Sequence, residues 1–160
     1  MLTKLSRLAS ALALIIVLAL FNHVDAAESS EGNRIMHTVS GKFEVNMQPQ
    51  TDEAFSVGRM TIDKSYNGDL SAVGKGQMLS HMTDVKGSAG YVAIEHINGS
   101  LNGKSGSFVV QHSGTMVRGE QSLTIAIIAD SGAGELSGIA GNMHIDITDG
   151  QHFYTLNYTL

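Results

Sequence analysis

The sequence has no cysteine, no tryptophan and a single proline, and its 160 residues hold only 10 Lys and Arg against 15 Asp and Glu. Without Cys there is no disulfide, no paired-thiol motif and no lipid-modified cysteine at a processed amino terminus. Stability must come from burial alone. That is feasible, because a domain of this size hides roughly two-thirds of the surface its unfolded chain exposes. The shortage of basic residues, with a net charge of −5, argues against nucleic acid as a partner, since phosphate neutralisation needs clustered Lys and Arg. Past Phe21 no apolar run approaches the roughly 18 residues of a membrane-spanning helix, and the composition is not that of a disordered chain.

What is present begins with an export pattern. Lys4 and Arg7 precede an apolar run from Leu8 to Phe21, which ends at Val24-Asp25-Ala26, a small-residue cleavage pattern. This predicts a signal peptide over residues 1–26, a mature chain beginning at Ala27, and a periplasmic or secreted protein. An uncleaved membrane anchor is the alternative, but spanning normally takes roughly 20 residues. Cleavage would remove Lys4, Arg7 and Asp25, leaving the mature chain acidic and without stable membrane insertion. Residues 27–35 are polar and read as a flexible lead-in. One domain then covers residues 36–160.

From Met36 onward short alternating stretches are punctuated by many of the 18 Gly, and no helical apolar period is sustained. Phe43, Val45 and Met47 share one face of a first strand, and Met60 and Ile62 share one face of a second. Asn67-Gly68 supplies a turn into a third strand over Leu70 to Met82, where Gly74 and Gly76 share a face with Ala72 and Met78. Two missing side chains on one face predict a bend or a close backbone approach. Tyr91 to Ile97 and Ser107 to Val117 form a fourth and fifth strand, joined by a segment of turns at Asn98-Gly99, Asn102-Gly103 and Gly106. Leu123 to Ala129 is apolar on both faces and predicts a strand covered on both sides by core or partner. Met143 to Thr148 and His152 to Leu160 close the chain as a hairpin at Asp149-Gly150. The fold class is therefore all-β: a small closed antiparallel barrel of about eight strands, which leaves no sheet edge to protect.

The run Gly87-Ser-Ala-Gly-Tyr-Val-Ala-Ile-Glu95, the run Gly106-Ser-Phe-Val-Val-Gln-His-Ser-Gly-Thr-Met116, the Gly-rich stretch 132–141 and the closing His152-Phe-Tyr-Thr-Leu-Asn-Tyr158 carry a family resemblance. They resemble a bacterial domain-of-unknown-function family (number 3224) with an allene-oxide-cyclase-like β-barrel, over about Gly41 to Leu160. The resemblance implies a compact barrel of calycin-like shape, often found in small oligomers, and no established activity. Plant allene oxide cyclases and dirigent proteins are similar in Gly spacing only, so no catalytic residue carries over. The chain departs from the family pattern at Gln77, where Glu is frequent, and in its leader.

Candidate site residues follow from the alternation. His112 shares a face with Phe108, Val110, Gly114 and Met116, and so should point inward. Such a His either orients a ligand or proton, or is a core residue satisfied by a neighbour. Glu95 alternates with Tyr91 and Ala93, while Val92 and Ile94 occupy the opposite face, and either face fits as the inner one. The resemblance favours Glu95 inside. Tyr154 and Tyr158 alternate with Leu156 and should face the core, as ligand-orienting phenols or as filling. With Tyr91 and Gln77 they complete the candidate ligand-binding set, and Glu95, His112, Tyr154 and Tyr158 are expected to converge on one cavity.

Other patterns carry less. His144, Asp146 and Thr148 form a polar stripe opposite Met143, Ile145 and Ile147, expected to face solvent. Two ligands from a His-x-Asp pair do not make a metal site, and His37, His81 and His96 are scattered, so no metal and no cofactor are expected. Asn98-Gly-Ser100 and Asn157-Tyr-Thr159 match a glycosylation pattern but read as a turn and a strand position. Three function classes remain. The first is a barrel binding a small, largely apolar molecule against an inner face rich in methionine. The second is an isomerase or cyclase acting on such a molecule, and the third is a packed barrel serving as a structural or homo-oligomeric interaction protein.

Overall fold

The computed structural model describes residues 34–51 and 56–160, so the predicted signal peptide and most of the lead-in lie outside the described residues. The chain forms β1 (His37–Gln50), β2 (Gly58–Gly68), β3 (Leu70–Met82), β4 (Ala89–Leu101), β5 (Lys104–Val117), β6 (Glu120–Ile127), β7 (Ala133–Gly134), β8 (Ala140–Thr148) and β9 (Gln151–Thr159). All pairings are antiparallel. The order β4-β3-β2-β1-β9-β8-β6-β5 closes on itself through β4–β5, giving an eight-stranded barrel with the two-residue β7 added beside β5.

Turn chemistry explains the hairpins. Asn102 and Gly103 have φ of 49° and 80°, the double positive φ of a tight two-residue turn whose twist matches that of the strands. Asp149-Gly150 has the same signature, and so has Arg118-Gly119, which an Arg hides from sequence inspection. At Asn67-Gly68 only the Gly is left-handed. The expected cluster of turns from Asn98 to Gly106 is corrected to one, because β4 runs unbroken to Leu101 and β5 starts at Lys104. Gly99 is a strand residue, lying so close to Ala72 that a side chain would strike it.

The inward rows pack differently along the barrel axis. Toward the end that carries the Asn102-Gly103 turn, here the lower end, Leu70, Leu101, Phe108, Leu136, Ile139 and Leu156 are all buried. Leu136 and Ile139 come from the Gly-rich stretch, which folds across this end beside β7. Each such side chain contributes about 1.5–3 kcal/mol by leaving water. Toward the upper end the same rows remain apolar but open: Met47, on the row of Phe43, is 49% exposed, Leu123 39% and Ile147 65%. Within the chain Leu123 to Ala129 is covered on one side only, since outward Ala126 is exposed while Ile125 and Ile127 are buried.

Candidate functional site

Alternation on three strands sends polar side chains into this apolar interior. On β2 the inward positions Met60 and Ile62 continue to Lys64 and Tyr66, on β4 Ala93 and Ile97 flank Glu95, and on β5 Val110 is followed by His112. Glu95 is fully enclosed, and Lys64 and His112 are 7% and 3% exposed. The carboxylate is the hub. Its Oε1 accepts the Tyr66 hydroxyl at 2.8 Å, while Oε2 accepts from Lys64 Nζ at 2.7 Å and lies 3.0 Å from His112 Nε2. Lys64 Nζ also lies 3.3 Å from the Tyr66 hydroxyl and 4.9 Å from the centre of the Phe43 ring, whose electron-rich face attracts the cation.

The paired glycines of β3 make this arrangement possible. Gly74 lies opposite Lys64 on one side and Ile97 on the other, and the Glu95 carboxylate fills the space a Cβ at Gly74 would take. The close backbone approach predicted from Gly74 and Gly76 is therefore a pocket for one carboxylate. Gly114 does a similar service for the half-buried Tyr91 ring, which lies over it.

Burial by itself raises the Glu95 pKa. The hydrogen bond with His112, the Lys64 charge, and the hydrogen bonds from Lys64 and Tyr66 outweigh burial and hold the carboxyl below its ordinary value. Burial, with the Glu95 charge and hydrogen bond behind it, pushes the Tyr66 phenol far up, so it remains a neutral donor. Burial also raises the Tyr91 and Tyr154 phenols. A carboxylate with a depressed folded pKa contributes stability that is present above the ordinary value of 4.5 and lost as pH falls through the folded value. The stability gap between wild type and Glu95→Gln, measured by urea titration from pH 7 to pH 3, should therefore narrow on the acid side. A gap independent of pH would show that Glu95 is not held ionised.

The structure brings Glu95 and His112 together and separates the other expected members. Tyr154 is buried, but its hydroxyl accepts from the Leu70 backbone N–H at 3.0 Å, and its ring meets Tyr66 edge-on at 5.5 Å between centroids. The Tyr158 hydroxyl accepts from Asn102 Nδ2 at 3.0 Å, and its ring stacks on His37. The convergence of four residues is thus corrected to two, because the tyrosines of β9 lie toward the lower end and bond to turns there. Gln77 is exposed on the outer wall, beside Thr61, Asp63, Lys75 and His96 around a depression of about 500 Å³. His144 and Asp146 face solvent, 3.2 Å apart. Among the described residues no three His, Asp or Glu gather where they could hold a metal ion.

Lys64 and Tyr66 are the members that sequence inspection misses. The signal was present: the row through Met60 and Ile62 reaches both in steps of two. A Lys at the next step hides the continuation of the row, because Lys is almost never buried unless paired and its partner stands 31 positions along the chain.

Fold and site together define a closed antiparallel barrel whose core is apolar at one end and carries one charged hydrogen-bonded cluster, Lys64-Glu95-Tyr66-His112, at its centre. The chain belongs to the family described as protein of unknown function (DUF3224), whose profile matches residues 39–158. It is similar to the crystal structure of a DUF3224 protein of unknown function from Shewanella oneidensis MR-1, with 48% identity and a TM-score of 0.75 over 78% of this chain and 96% of that one. No curated protein matches the chain.

Proposed function

We propose that this protein is exported and binds a small, largely apolar molecule inside the upper half of its barrel. The observation that carries the reading is the change along the inward rows. Above the enclosed Glu95 cluster the side chains stay apolar yet are left partly open, as at Met47, Leu123 and Ile147. Apolar groups left partly open above a few fixed polar groups have the make-up of a small-molecule site. Met47, Met60, Met78 and Met116 lie on these rows, and their unbranched side chains adapt to varied shapes. The buried charge cluster is a further support, since groups whose pKa is shifted by burial and specific charge partners gather at functional sites.

Protein purified without denaturation from the envelope or medium of its native host tests the reading. Intact mass should place the amino terminus at Ala27, and organic extraction should release one reproducible apolar species. A chain retaining Met1 in the cytoplasm removes the export, and an empty interior removes the ligand. A second reading, a barrel that assembles with copies of itself, is favoured by the outer wall, where Leu79 and its cross-strand partner Val92 are 46% and 50% exposed and Ile94 lies next on β4. The native mass spectrum of the same preparation decides it.

A further inference from the structure

Glu95 has used both of its oxygens within the cluster, and Tyr66 donates its only proton to it. An ionised carboxylate accepts hydrogen bonds and cannot donate, so the imidazole nitrogen that faces it, Nε2, must carry the hydrogen. The short Lys64–Glu95 pair and the depressed carboxyl both keep Glu95 in that acceptor state. In the neutral ring the proton on Nε2 leaves Nδ1 as a bare acceptor. Nδ1 makes no hydrogen bond among the described residues, and it is not among their sealed, unpartnered polar atoms, because there are none. His112 lies on the inward row between Ala93 and Ile125, so its ring, with the Nδ1 that no protein group uses, belongs to the barrel interior.

We infer that His112 Nδ1 is the polar anchor of the interior site and accepts a hydrogen bond from the hydroxyl of an apolar alcohol or phenol. This rests on the interior-binding reading above and narrows the ligand to one that donates. A ligand whose polar group only accepts, such as an ether or ester, finds no partner at this nitrogen. Glu95 is then a positioning residue, fixing the tautomer and the ring plane, with Lys64 and Tyr66 holding the carboxylate.

Two probes of similar shape, 1-naphthol and 1-methoxynaphthalene, separate this inference from the reading beneath it. By isothermal titration, wild-type protein should bind the naphthol about five- to ten-fold more tightly, the worth of one hydrogen bond. His112→Gln, which can set an amide N–H near the place of Nε2 but has no counterpart to Nδ1, should bind the two alike. Equal binding by wild type overturns the anchor while the interior site stands, and failure of both probes to bind overturns both. Long-range nitrogen–proton correlation spectra of the wild type need no variant to fold. They should show His112 as the Nε2–H tautomer, with Nδ1 moved by the naphthol and not by the ether. An Nδ1–H tautomer or an imidazolium overturns the inference.

Discussion

Glu95→Ala should be the most damaging single substitution in the barrel, lowering stability in a urea titration by about 3–5 kcal/mol. The change removes the hub and leaves the Lys64 ammonium, the Tyr66 hydroxyl and His112 Nε2 buried without their shared acceptor. The loss reflects the stranded groups as much as the lost pair, because a buried charge without its partner keeps its desolvation cost. Against a total of about 5–15 kcal/mol for a domain, this is enough to leave a substantial fraction unfolded. Asp63→Asn is the control. It breaks a comparable 2.9 Å pair with Lys75, but on the outer wall, with both side chains exposed, where such pairs are worth about 1 kcal/mol at most. Equal losses from the two substitutions would show that the Glu95 cluster does not support the fold.

Gly74→Ala should cost about 1–3 kcal/mol, although it adds a single methyl group in a strand, where Ala is ordinarily no worse than Gly. The new Cβ would fall on Glu95 Oε1 and lie 3.1 Å from Tyr66 Cε2, so the carboxylate must leave the geometry that satisfies three donors. Gly90→Ala on β4 makes the contrast, since its Cβ would have only the Gly114 carbonyl oxygen, at 3.9 Å, for a neighbour. That change should be neutral or slightly stabilising through the unfolded chain. The effects of Gly74→Ala and Glu95→Ala should be strongly non-additive in a double-mutant cycle, the second change relieving most of the first. Independent, additive losses would mean that Gly74 is there for the strand and not for the carboxylate.

Much of the barrel was legible because strands advertise themselves locally. The rows Phe43-Val45-Met47, Phe108-Val110-His112 and Tyr154-Leu156-Tyr158 each declare an inner face by period two, and the paired strands obey it. The same rule placed His112 inside and His144 outside. It was silent on Glu95, since Val92 and Ile94 make the other face of β4 equally apolar, and those two side chains are about half exposed on the outer wall. It does not by itself point to Lys64, because a charge is buried only with a partner, and that partner, Glu95, stands on another strand. It misled at Asn98-Gly99, where a turn-forming pair sits within a strand because β3 passes too close for any larger residue.

By itself the sequence determined the eight long strands, the inward rows of β1, β5, β8 and β9, the absence of disulfides and the net negative charge, all of which follow from residue type and spacing along the chain. Only the tertiary structure decided which polar groups share the interior. Lys64, Tyr66, Glu95 and His112 stand on three strands, and closing the sheet sets their common environment. The tyrosines of β9 were sent elsewhere by the same closure, which gave their hydroxyls partners at Leu70 and Asn102. The physical reason is that the cost of burying a charge depends on what lies within about 3 Å of it, and in a barrel those neighbours come from distant parts of the chain.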